Sequence, residues 1–238
     1  MRSAVRERFV EFSRPLEGVV PWMYLDVLGL VTTAIGNLID PVSTAVGLPF
    51  VVRATGAPAT PSAISAEWWR VKNDASLARL GHRAAERITS LRLTDDGIAI
   101  VVGRRLAEMD RHLADRFASW EDWPACAQLA TLSLAWACGP AFRFPLLEAA
   151  LRSGDYAVAA EHCAIRSEGN PGVKPRNALN SVLYRNAARV RDYHLDPDTI
   201  DWTYDLSVSD VPTVPALPDS TPIVHADPST YLRPDDDA

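Results

Sequence analysis

The 238-residue chain is 47% hydrophobic and 23% charged, an ordinary balance that supports a substantial core and suits one domain with a tail. A net charge of −6 speaks against nucleic acid or anionic surfaces as partners. Cys126, Cys138 and Cys163 lack any metal-ligand or CxxC spacing, so they read as reduced, buried thiols of a protein made in the cytoplasm, with no metal and no cofactor. The N-terminal Met-Arg-Ser-Ala-Val-Arg-Glu-Arg has no apolar h-region, so no secretory signal is expected. No apolar run approaches the ~18 residues that span a bilayer, which argues against membrane insertion.

Residues 3–14 set Val5, Phe9, Val10 and Phe12 among Arg and Glu, predicting a short amphipathic helix that Pro15 stops. Residues 16–38 follow, and in this almost wholly apolar stretch stand two carboxylates, Glu17 and Asp26. Charged groups are seldom placed in such surroundings unless something compensates their desolvation. Between Gly29 and Gly36 the β-branched Val31, Thr32, Thr33 and Ile35 predict a tight hairpin. The expected result is Glu17 at the hairpin's start, with Asp26 and Thr32 carried back to face it across a groove.

Two acids across a groove are the basic apparatus of glycoside hydrolysis: one protonates the leaving oxygen, the other activates water or attacks the sugar. Leu16, Val19 and Val20 are expected to raise the pKa of Glu17 by desolvation, while Asp26, near turn amides, stays ionised. The plainer alternative is a Glu that follows a helix and an Asp that opens a turn.

Beyond Asp40-Pro41, residues 41–62 are rich in Pro, Gly, Ala and Thr and predict an ordered loop insertion with one apolar island, Leu48-Pro-Phe-Val-Val. Ser65 is the expected N-cap of a helix reaching about Leu80, with Trp68 and Trp69 on different faces. A polar segment then runs to Leu93. Thr94-Asp95-Asp96 caps a long helix with Ile98, Val101, Val102, Leu106, Met109, Leu113 and Phe117 on one face, expected to link two lobes. Pro124 opens a helix over Ala125 to Cys138, apolar nearly all round, hence the buried centre of a helical domain. Helices from Pro145 to Arg152, onward to about Ile165, and from Asn177 to Val190 complete the body. Residues 193–238 form a Pro- and Asp-rich extension, expected to be partly disordered, with Trp202, Tyr204 and Val208 pinning its start.

The string Glu17, Gly18, Tyr24, Asp26, Gly29, Thr32 and Gly36 closely resembles the active-site segment of bacteriophage-type lysozymes. Two positions depart from that pattern: Ala34 stands for the first glycine of the turn, and Asn37 for the usual histidine. The resemblance spans roughly residues 3–190, including an aromatic-x-x-Gly segment at Trp136 and Gly139 and a Pro-x-Arg loop before the last helix. It implies a mostly helical α+β, two-lobed lysozyme-like fold over residues 1–192, with a small β-hairpin lobe and a helical lobe. It also implies a muramidase that cleaves the β-1,4 bond of peptidoglycan with inversion, Glu17 as general acid, Asp26 and Thr32 holding water, and Leu38 and Trp136 binding substrate. The implied partner is the glycan strand, met in the periplasm or on the wall after release as a phage lysin or injection as a toxin. The injected case would add a cognate immunity protein. Two rivals remain: a lytic transglycosylase, which needs only one acid, and a lysozyme-shaped module that binds without turnover.

Overall fold

The computed structural model describes residues 1–168 and 171–202. Among these, ten α-helices and two small antiparallel sheets make a mixed α+β fold dominated by helix. The described residues divide into two compact units: one holds Met1–Phe12 and residues 106–168 and 171–202, the other Ser13–Arg105.

The unit Ser13–Arg105 begins with the last turn of α1 (Ser3–Glu17). Pro15 does not stop this helix, contrary to expectation. The only backbone bond its missing N–H forfeits would fall on the carbonyl of Glu11, an exposed residue where water can substitute. The helix closes with the Gly18 amide donating to the Arg14 carbonyl at 3.0 Å. The chain then forms β1 (Val20–Leu25), β2 (Val31–Ala34) and β3 (Asn37–Leu38), an antiparallel sheet in that order. The predicted hairpin is therefore present, and Asn37–Leu38 extends it by a third strand.

Residues 41–62 are not loop throughout. They contain α2 (Val42–Ala45) and β4 (Phe50–Val52), and β4 pairs with β5 (Leu91–Leu93) in the register Phe50↔Leu93 and Val52↔Leu91. The apolar island is thus one edge of a small sheet whose other edge lies forty residues on. Helix α3 (Pro61–Lys72) starts earlier than Ser65, because Thr60 is its N-cap: the Thr60 hydroxyl accepts the Ala63 amide at 3.2 Å, with Pro61 in the first turn. It also ends at Lys72 rather than Leu80. Asp74 Oδ1 takes the Ser76 amide at 3.1 Å and the Ser76 hydroxyl at 2.5 Å, a local turn that competes with helix. Two short helices follow: α4 (Leu77–Leu80) falls where the expected helix was to end, and α5 (His82–Ile88) occupies the stretch read as polar connection. Trp68 is core, donating Nε1–H to the Ile39 carbonyl at 2.8 Å, and Trp69 is exposed. Glu67 is buried but satisfied, accepting from the Ser90 amide and hydroxyl and the Leu91 amide at 2.6–2.9 Å, which ties α3 to β5.

The long helix α6 (Asp95–Arg116) starts where Thr94 predicts, the Thr94 hydroxyl accepting the Gly97 amide at 3.1 Å. In the other unit α7 (Ala125–Cys138) is buried along nearly its whole length. It packs on α10 (Lys174–Asp192), which begins three residues before the expected Asn177 with Pro175 in its first turn. Thr131 Oγ1 and Tyr184 Oη meet at 2.8 Å, and Arg176 donates to the Ser133 carbonyl and hydroxyl at 3.0 and 2.8 Å. Around them lie α8 (Pro145–Ser153) and α9 (Tyr156–His162), the latter ending before the expected Ile165. The three cysteines are buried and free. Trp202 does pin the chain beyond α10: its ring lies 5.5 Å from Phe12 and 4.5 Å from the Arg8 guanidinium. Tyr204, Val208 and the remainder of the extension fall outside the described residues. No described helix is long and apolar enough to cross a membrane.

Candidate active site

The three-stranded sheet decides which side chains meet. Tyr24 pairs with Thr32, and Thr32 pairs with Leu38. Directly opposed residues of antiparallel strands present their side chains on one face. Asp26, two residues beyond Tyr24, falls on the same face. So Tyr24, Asp26, Thr32 and Leu38 form one row, three of them buried at no more than 4% exposure and Leu38 open at 41%.

Asp26 does open a turn, as the plainer reading has it. Its amide donates to the Leu30 carbonyl at 2.9 Å, and its carbonyl accepts the Gly29 amide at 3.0 Å. Gly29 sits at φ +74°, a left-handed conformation that a side chain would strain. The Asp26 carboxylate is part of this turn as well, because Oδ1 accepts the Leu28 and Leu30 amides at 2.9 and 2.8 Å. Those bonds fix the side chain and leave Oδ2 outside the turn. Thr32 Oγ1 donates to the Leu30 carbonyl at 3.3 Å, a long bond that a better acceptor can replace.

The turn is braced from α3. Lys72 Nζ donates to the Gly29 carbonyl at 2.8 Å and to Asp40 Oδ2 at 2.6 Å, and the Val31 amide reaches the same Asp40 oxygen at 3.2 Å. No sequence signal singled out Lys72 or Asp40.

Glu17 ends α1 and is buried. What relates it to Asp26 is Tyr24. Burial pushes the Tyr24 phenol far above its usual range, and the charges of Glu17 and then Asp26 push it further. Both carboxylates therefore act on the same buried hydroxyl, which stays protonated at any working pH. Beside it lies a small pocket lined by Tyr24, Leu25, Asp26, Val27, Ala78, Gly81 and His82. The His82 ring is stacked on Trp22 and meets Tyr24 edge-on, each at 6.2 Å, and Trp22 Nε1 donates to the His82 carbonyl at 2.8 Å. Burial, helped by Arg83 and opposed by Glu86, lowers the His82 pKa. The sequence offered no motif at His82, and only α5 brings it here.

The two departures from the resembled pattern have structural consequences. Ala34 holds φ +55°, the left-handed region that the missing glycine would favour. Asn37 is buried, and its Oδ1 has no hydrogen-bond partner. Trp136 belongs to the other unit, where it is 3% exposed with its ring 4.9 Å from Phe9; that is core packing and offers little surface to a sugar. Among the described residues, no group of three or more His, Cys, Asp or Glu side chains is placed to hold a metal ion. Compared with known proteins, the chain matches no family model and no curated protein.

Proposed function

We propose that the protein is a muramidase that hydrolyses the β-1,4 bond between the amino sugars of peptidoglycan. The observation that carries this reading is the buried Asp26 carboxylate in one row with Tyr24 and Thr32, together with a second buried carboxylate, Glu17, at the end of the helix that leads into the same sheet. Hydrolysis of a glycosidic bond needs one carboxyl to give a proton and another group to direct water at the opposite face of the sugar. Glu17 is the proton donor. Asp26 is the base, fixed through Oδ1 by two amides so that Oδ2 accepts a proton from water without the side chain reorienting. Thr32 accepts or donates as the water requires, once it exchanges its long bond to Leu30. Leu38, exposed at the end of the row, supplies an apolar wall for the saccharide. Preorganised groups of this kind act without reorganisation at the moment of reaction, which is where their catalytic value lies.

Purified peptidoglycan is the test substrate, with reducing ends counted and the early product examined by proton NMR. An α-anomer with an ordinary reducing end is expected, as water attack opposite the leaving group requires. A β-anomer would overturn the water-holding role of Asp26 and Thr32, and a 1,6-anhydro product would make the protein a transglycosylase. Glu17→Gln should remove a factor of about 10² to 10⁴ in rate with the fold retained, the usual worth of a general acid. A residual rate above about a tenth of the parent's would sink the assignment.

A further inference from the structure

The mechanism above gives the Tyr24 hydroxyl nothing to do, yet that atom is the most unusual in the site. Tyr24 is 2% exposed and its Oη has no hydrogen-bond partner. Buried hydroxyls are ordinarily paired, because leaving one unmade forfeits its hydration for nothing. The other unit shows the ordinary arrangement: Tyr184 is equally buried, and its Oη meets Thr131 Oγ1 at 2.8 Å. Tyr24 is not a core tyrosine of that kind. Its ring borders the pocket beside Asp26, and its strand neighbour across the sheet is Thr32. Its proton is firmly held, since burial and two nearby carboxylates all disfavour the phenolate. A protonated phenol with no acceptor, at the edge of a pocket, is a hydrogen-bond donor waiting for a ligand oxygen.

We propose that the Tyr24 hydroxyl is a substrate contact, donating a hydrogen bond to an oxygen on one substituent of a sugar bound over Asp26, the small pocket walled by Val27, Gly81 and His82 admitting that substituent and not the ring. The proposal rests on the saccharide reading of the site. Saccharides are rich in hydroxyl and acetamide acceptors, so such a ligand supplies the partner that the buried phenol lacks. Discrimination follows from the same geometry, because a ligand with a hydrogen in place of that oxygen leaves the phenol unpaired in the complex as well.

The experiment uses a peptidoglycan-derived tetrasaccharide as probe, with affinity measured calorimetrically on Glu17→Gln so that turnover does not intervene. Adding Tyr24→Phe should weaken binding by about tenfold, the scale of one neutral hydrogen bond, and leave the melting temperature unchanged or higher. Equal affinity with and without the hydroxyl overturns the proposal. A second measurement needs no substitution at Tyr24: the tyrosine Raman doublet, which reports phenol hydrogen bonding, should change for one tyrosine when the tetrasaccharide binds. No change also overturns it. The outcomes separate this contact from the function it rests on. A parent chain that cleaves peptidoglycan, paired with an unaffected Tyr24→Phe, removes the contact alone. Binding without cleavage removes the hydrolase and leaves Tyr24 to be judged by the affinity ratio. A parent that neither cleaves nor binds the tetrasaccharide removes both.

Discussion

Replacing Lys72 by Met tests the brace beneath the Asp26 turn. Methionine keeps most of the apolar stem, so the change removes mainly the ammonium and its two bonds, 2.8 Å to the Gly29 carbonyl and 2.6 Å to Asp40 Oδ2. Hydrogen bonds to charged groups contribute roughly 1.5–3 kcal/mol each, which bounds the gross loss at about 3–6 kcal/mol. Solvent reduces this, since the side chains of Lys72 and Asp40 are 29% and 16% exposed and water can replace part of what is lost. The expected net destabilisation is about 2–3 kcal/mol, larger than an exposed pair and smaller than a fully buried one. A control is built into the same molecule. Arg8 and Glu11 meet at 2.7 Å, almost the same separation, but their side chains are 44% and 63% exposed. Glu11→Gln, which leaves Arg8 against Trp202, should therefore lose only about 0.2–1 kcal/mol. Urea unfolding measures both, and amide exchange locates the effect: Leu28, Leu30 and Val31 should lose protection in Lys72→Met and keep it in Glu11→Gln. Turnover on peptidoglycan should fall with the turn, by about 10²-fold if the carboxylate moves ~1 Å. Equal costs for the two substitutions would refute the argument, because contact distance rather than burial would then be setting the energy.

Ala34→Gly should stabilise the protein by about 0.5–1 kcal/mol in the same urea assay, since relief of the left-handed strain at φ +55° outweighs the extra freedom glycine gives the unfolded chain; a loss of stability would show that the strain is absent. All three thiols should resist an aromatic disulfide reagent at pH 8 and react once denaturant is added, because they are buried and desolvation raises the Cys138 and Cys163 pKa values to about 12. Rapid labelling of the native protein would contradict this. The lowered pKa of His82 means that the unfolded chain binds a proton the folded one refuses, so its contribution falls as pH drops through about 6.5. Parent stability should therefore decline more steeply from pH 7 to 5 than that of His82→Gln, and parallel curves would remove His82 from the account.

What the sequence disclosed and what it hid divide along sequence separation. The Glu17–Asp26–Thr32 spacing was visible because a hairpin is a local device: its turn glycine, its β-branched strands and its carboxylate lie within some twenty residues. The α6 start was visible for the same reason, Thr94 and Gly97 being three apart. Lys72 and Asp40 were invisible, because the bond from Lys72 to Gly29 crosses 43 residues and a lone lysine near a helix end has every ordinary reason to be solvated. The β4–β5 pair was hidden by its length, since three residues cannot show an alternation, and its partner strand lay in a stretch read as polar. Trp136 illustrates the opposite error. An aromatic near the end of a central helix suits a sugar platform or a core, and only the position of Phe9 decides between them.

Three irregularities of the unit Ser13–Arg105 fall in its three-stranded sheet. Ala34 is held at a glycine-like φ, and Tyr24 Oη and Asn37 Oδ1 are buried without partners. Each conflicts with a rule that stable structures keep, and each could be relieved by a single substitution to glycine, phenylalanine or an apolar residue. Elsewhere in the unit the buried charge is compensated: Glu67 accepts from three donors, and Lys72 pairs with Asp40. Local conflicts gathered on the three-stranded sheet that also carries Thr32 are the mark of a surface shaped for a ligand rather than for stability. The ligand suited to that sheet is one that brings acceptors to Tyr24, a water to Asp26 and Thr32, and an apolar edge to Leu38. A pyranose ring with its hydroxyl and acetamide substituents meets all three demands, which is why the proposed saccharide reading suits the unpaired Tyr24 phenol as well as the two acids.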